Sequence, residues 1–185
     1  SAITGHTARV DWTNGNGSRR LVLLRKGSPV DANPVELTAY PASRSFGAGG
    51  EIGTGNFVVF ASSSSFADIV AMEPNTTYHG AIFEYNGAAG PVYRVPGTTF
   101  NFTTVSRPDE AVRDFAQSTT RDGDDFTMLY RTGNGNRRLF VASTSPITWT
   151  PTDNQEYTTN TLFGTGEEVS PGVFAVVTGT GTPTI

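Results

Sequence analysis

The chain contains no cysteine, so neither a disulfide framework nor a thiolate metal site is open to it, and stability has to come from core packing. The lack of thiols fits an exported protein. Two histidines without cysteine fall short of a metal centre, which leaves His6 and His79 as ordinary positions, His79 on the outward face of a strand. Basic charge is also short. Thirteen Lys and Arg against 17 Asp and Glu leave a net charge of −4, which argues against a nucleic-acid partner held through its phosphates and against an anionic membrane surface. No apolar run reaches spanning length, so no membrane insertion is expected. Ser1 in place of methionine points to a processing or cloning boundary.

Helix formers are sparse and no helical period of useful length occurs. What the 185 residues do hold is glycine, proline, Thr and Ser, with 21 Gly and 11 Pro between short runs of Val, Phe and Tyr. This is the composition of an all-β protein with many turns. Strands are expected at 7–13, 19–26, 36–42, 56–61, 66–72, 77–86 and 98–104. Ala8, Val10 and Trp12 share one face of the first, and Tyr78, Gly80, Ile82 and Glu84 share one face of the sixth. Short strands separated by turn signals about every ten residues favour an antiparallel two-sheet sandwich over a barrel.

The chain also repeats itself. "TNGNGSRRLVLL" from Thr13 returns as "RTGNGNRRLFVA" from Arg131, with Trp12 opposite Tyr130. One residue drops out, and the register then holds from Pro29 with Pro146 through Tyr40 with Tyr157, Phe46-Gly47 with Phe163-Gly164, Glu51 with Glu168, and Phe57 with Phe174. Two copies of one fold follow. The register assigns 1–105 and 106–185 to the two copies, joined by a short linker at "VSRPDE". Its ends imply a window on a longer chain, in which the first copy lacks its first strand and the second about its last three.

"MEPNTTY", Met72 to Tyr78, resembles the tyrosine-corner signature of fibronectin type III domains, and Trp12 matches the family's other fixed aromatic point. The wording of "WTNGNGSRRLVLLRKGSPVDANPVE", "IGTGNFVVFA" and "FEYNG" is similar to fibronectin-type modules repeated in large secreted and cell-surface proteins of Bacteroidetes-type bacteria. The resemblance covers residues 1–105 and, more loosely, the second copy through residue 178. It implies tandem fibronectin type III or immunoglobulin-like sandwiches in a non-catalytic structural or adhesion module, extracellular or at the cell surface. The partners it implies are other domains of the same chain, neighbouring chains that complete the second sandwich, or a cell-surface protein or polysaccharide. An accessory module of a polysaccharide-degrading enzyme and a phage or filament protein are the alternatives.

No residue is assigned a catalytic, cofactor-binding or metal-binding role. The Gly loops lead into strands and not into a helix, so they lack the geometry that gathers a phosphate. They read as strand connections whose Asn and Gly supply positive φ, with the Arg19-Arg20 and Arg137-Arg138 pairs serving structure, such as contact with a carboxylate on a neighbouring strand, and surface contact with a ligand as the alternative. "RDGDD", Arg121 to Asp125, offers oxygen ligands without calcium-loop spacing and reads as a hairpin turn. Glu167-Glu168 reads as a solvated loop, and Ser62 to Ser65 as a turn with no nucleophile motif around it. Tyr85, Tyr93 and Trp149 are the aromatics available to stack on a sugar, and packing in a sheet is the competing use of each.

Overall fold

A computed structural model describes residues 2–122 and 125–180, with the backbone alone for 117–122 and 125–127. It divides into two compact units, Ser1–Arg107 and Pro108–Ile185. Both are all-β. Among the described residues there is no helix, the strands pair antiparallel, and no sheet closes into a barrel.

In the first unit β1 (Ala8–Asp11) pairs with a later strand, β4 (Phe66–Ile69), as a small sheet. A larger sheet holds β2 (Arg19–Lys26), β3 (Phe57–Ser62), β5 (Thr77–Asn86), β6 (Val92–Tyr93) and β7 (Thr98–Thr103), with β2 between β3 and β5 and with β6 and β7 both on β5. Ahead of β1, Ile3 makes a single antiparallel bridge to Ala8, where a first strand was expected to be lacking. Ala8, Ala67 and Ile69 of the small sheet meet Val22, Leu24, Val59 and Tyr78 of the large one in a shared core, an arrangement consistent with a two-sheet sandwich.

The run Leu21-Val22-Leu23-Leu24 is buried without a break, and the alternation of a strand explains how. Val22 and Leu24 face the core between the sheets. Leu21 and Leu23 face the other way, into a second core with Ile52, Phe83, Tyr85 and Tyr93, packed against Val30, Ala32 and Tyr40 of the long 27–56 segment. A strand covered on both faces reads as a continuous apolar run. Covering Leu21 and Leu23 stabilises the unit by about 3–6 kcal/mol at the usual value for two buried leucines.

That covering segment corrects one expectation, because residues 36–42 form no strand. Leu37 takes a left-handed φ of 63°, its N–H donates to the Pro91 carbonyl at 2.8 Å, and the Thr38 N–H turns back to Val35. The Val35 N–H goes to the Tyr40 hydroxyl. With these donors committed, and Pro34 and Pro41 having none, the segment lies over the sheet without extending it.

In the second unit β8 (Arg113–Asp122) and β9 (Asp125–Arg131) pair as a hairpin, and β10 (Arg138–Ser143), β11 (Glu168–Ser170) and β12 (Val173–Gly179) form a sheet in the order β10–β12–β11. The repeat is visible atom by atom. The β2–β3 ladder slips by one residue between Val22 and Leu23, and the β10–β12 ladder slips at the equivalent place between Phe140 and Val141. Val35 N–H to Tyr40 Oη at 3.1 Å returns as Thr152 N–H to Tyr157 Oη at 2.8 Å, and Gly55 N–H to Glu51 as Gly172 N–H to Glu168. Leu37 and Asn154 share the left-handed conformation, as do Gly47 and Gly164.

Candidate functional site

The first Gly-rich loop closes on a carboxylate from its own unit. Glu84 extends from β5 between the loop and Arg20, accepting from Gly15 N–H at 2.8 Å, Gly17 N–H at 3.0 Å and Arg20 Nε–H at 3.0 Å. The Arg20 side chain is only 5% exposed and that of Glu84 16%. The remaining guanidinium donors reach Ser63 O and Gly17 O, each at 3.0 Å. The loop therefore does bind an anion, and the anion is internal. Its glycines are needed for closeness and not for the positive φ expected of them: a Cβ on Gly17 would lie 2.6 Å from Glu84 Oε2, and one on Gly15 3.0 Å from its Cδ.

The structural role expected of the Arg pair is met, because register places Arg20 opposite Glu84 and Arg19 opposite Tyr85. Arg19 Nε donates to the Tyr85 hydroxyl at 3.0 Å and Nη2 to the Ala61 carbonyl at 3.2 Å. The sequence places Glu84 on one face of the sixth strand without marking it as the partner of Arg20. The available signal was its place on the strand face shared with Tyr78 and Ile82, where an acid needs a buried cation. Beside Glu84 a cavity of about 200 Å³ is lined by Trp12, Ile82, Arg94 and Thr98, and Trp12 Nε1 is buried without a partner among the described residues.

The second loop has the same wording and a different anchor. Asn134 N–H donates to Glu110 O at 3.3 Å, Glu110 N–H to Asn134 Oδ1 at 3.2 Å, and Asn134 Nδ2 to Asp109. Arg138, the twin of Arg20, donates from Nη1 to Thr180 O at 2.9 Å and from Nη2 to Gly135 O at 3.3 Å. Its Nε is buried and has no acceptor among the described residues.

The sugar-stacking aromatics do not form a platform. Tyr85 and Tyr93 are buried, with ring centroids 5.1 Å apart, and the Tyr93 hydroxyl donates to Thr38 O at 2.9 Å. Burial, followed by the neighbouring Tyr85, Tyr40 and Glu36, pushes the Tyr93 phenol up to about 12. In the other unit Trp149 is half-buried, edge-on to Tyr157 at 5.4 Å.

His6 Nδ1–H donates to Met72 O at 2.9 Å, and His79 is half-buried in β5. Ser63 to Ser65 form the bend between β3 and β4, following Ser62 at the end of β3. Glu167 and Glu168 accept from Thr158 N–H and Gly172 N–H. Asp31 is held below the usual carboxylate range by hydrogen bonds from Asn56 and Arg25. No cluster of metal-ligating side chains occurs among the described residues. The RDGDD stretch takes in the end of β8 and the start of β9, with Gly123, Asp124 and the side chains of Arg121, Asp122 and Asp125 outside the described residues. No protein-family model, curated protein or solved structure matches the chain.

Proposed function

We propose that the chain is a pair of fibronectin type III-like sandwiches serving as a non-catalytic structural or adhesion module of a larger exported bacterial protein, outside the cell or on its surface. The observation that carries this reading is the corner at Tyr78. Its ring is fully buried, and its hydroxyl returns to the chain just upstream by accepting from Glu73 N–H at 3.0 Å. Strand order supports the same reading, with β1 beside β4 in one sheet and β3–β2–β5–β7 in the other. The motif that most suggested a ligand, the Gly-Arg loop, spends its donors on Glu84, as a rigid building block requires.

Antibody raised against the first unit tests the location, with labelling of intact source cells expected and labelling only after permeabilisation overturning the exported reading. Exchanging the first unit for an unrelated sandwich of equal length separates the two roles. A spacer tolerates the exchange, whereas an adhesion module loses attachment. A second reading, a subunit of a phage or extracellular filament, is favoured by the edge of β10 that no strand pairs among the described residues. A glycan-binding accessory module is disfavoured by the burial of Tyr85 and Tyr93.

A further inference from the structure

We propose that the free edge of β10 is a strand-accepting site, and that its occupant is an extended antiparallel peptide segment of the β5 pattern, with a glutamate opposite Arg138 and an aromatic residue on either side of it. The inference rests on reading the second unit as a copy of the first. In the first unit β2 lies between β3 and β5; in the second β10 has β12 on one side and no strand on the other among the described residues. A row of unpaired N–H and C=O groups is a template for one more strand.

Three side-chain observations define what that strand must carry. Arg138 Nε is buried without an acceptor among the described residues, where the equivalent nitrogen of Arg20 donates to Glu84. A buried cationic N–H left unpaired is costly, and a carboxylate is its natural complement. Beside it a cavity of about 340 Å³ is lined in part by Arg137, Leu139 and Tyr157. Their equivalents Arg19, Leu21 and Tyr40 line a space of about 140 Å³ with Tyr85 and Tyr93, which narrows the required neighbour to an aromatic. Finally, Phe163 is 45% exposed, whereas its twin Phe46 packs edge-on against Tyr78 with centroids 5.0 Å apart.

Together these positions specify a register: Tyr, then Phe-Glu-Tyr five residues on, as Tyr78 and Phe83-Glu84-Tyr85 stand in β5. The second Gly loop is already held by Asp109 and Glu110. The entering carboxylate is received by Arg138, whose Nε has no acceptor among the described residues.

The test titrates a fluorescent peptide with the sequence of residues 76–86 against the full chain, read by anisotropy, with amide exchange followed along β10. Saturable one-to-one binding is expected, with new protection at Leu139 to Ala142. Changing the peptide's glutamate to glutamine should weaken binding at least tenfold against the unaltered chain. Arg138→Gln should do the same, and combining the two changes should add little. A scrambled peptide that binds equally well, or a glutamine peptide that binds unchanged, overturns the proposal. So does self-association of the chain that Arg138→Gln abolishes, because the edge then serves a second copy. Exchange in the chain alone separates this from the underlying reading. If the β10–β12 amides are unprotected, the second unit is not a copy of the first; if they are protected and the peptide still fails to bind, only the strand-accepting site is lost.

Discussion

Arg20 on β2 and Glu84 on β5 face each other across the sheet with Nε and Oε1 3.0 Å apart, and the same carboxylate ties down Gly15 and Gly17. One ion pair thus fixes a strand register and the fold of a loop together. Breaking a buried pair from one side strands a charge and costs about 3–5 kcal/mol. Glu84→Gln and Arg20→Met are each expected to destabilise the first unit by that order in urea denaturation. The double variant should lose clearly less than the sum, because each change removes the need for the other partner. Additive losses would show that the two side chains are energetically independent.

Tyr78 separates packing from hydrogen bonding at the corner. Its ring touches Phe46 at 5.0 Å and stacks on Phe102 at 5.9 Å, while its hydroxyl holds the Glu73 N–H. Tyr78→Phe should cost about 1 kcal/mol, the typical value of one hydrogen bond. Tyr78→Ala should cost about 3–5 kcal/mol, as other large-to-small aromatic changes in cores do. Urea midpoints that put the two variants level would assign the corner's stability to the hydroxyl.

Local pattern made much of this fold legible. Residues 19–26 and 77–86 were expected as strands on their apolar run and their alternation, and β2 and β5 have those bounds. The repeat was readable because Gly, Pro and aromatic positions are held by backbone requirements that both copies share, down to the same ladder slip. What was hidden depends on long-range contact. Glu84 lies 64 residues from Arg20, and nothing local marks it as the loop's anchor. Segment 36–42 places Tyr40 against the outer core while Leu37 stays 72% exposed, and its backbone hydrogen bonds run to turns and to Pro91.

The twin glycines Gly49 and Gly166 test the repeat in energetic terms. A Cβ on Gly49 would lie 2.0 Å from Val58 O, and one on Gly166 1.9 Å from Ala175 O, so in each unit backbone would have to move. Alanine at either position should cost about 1–3 kcal/mol, the range for overpacking. The chain has one tryptophan in each unit, Trp12 and Trp149, so fluorescence in Trp149→Phe and Trp12→Phe backgrounds reports the units separately. Gly49→Ala should lower only the Trp12 transition and Gly166→Ala only that of Trp149. A shift in both from one change would mean that the units unfold as one.

Tyr93 links the outer core to pH. Its phenol is raised to about 12, first by burial and then by Tyr85, Tyr40 and Glu36, against about 10 in an unfolded chain. Between those values the unfolded chain releases the proton and the folded chain keeps it, so unfolding is increasingly favoured as pH rises. The protective contribution is complete below about pH 10 and lost on approaching pH 12. The first unit's Tm, followed through Trp12 in the Trp149→Phe background, should fall across that window more steeply in the Tyr93-containing chain than with Tyr93→Phe. The Phe variant starts lower, because it forfeits the bond to Thr38 O, and the two curves should converge at the alkaline end. Parallel curves would mean that the phenol ionises as readily in the folded unit as in the unfolded chain.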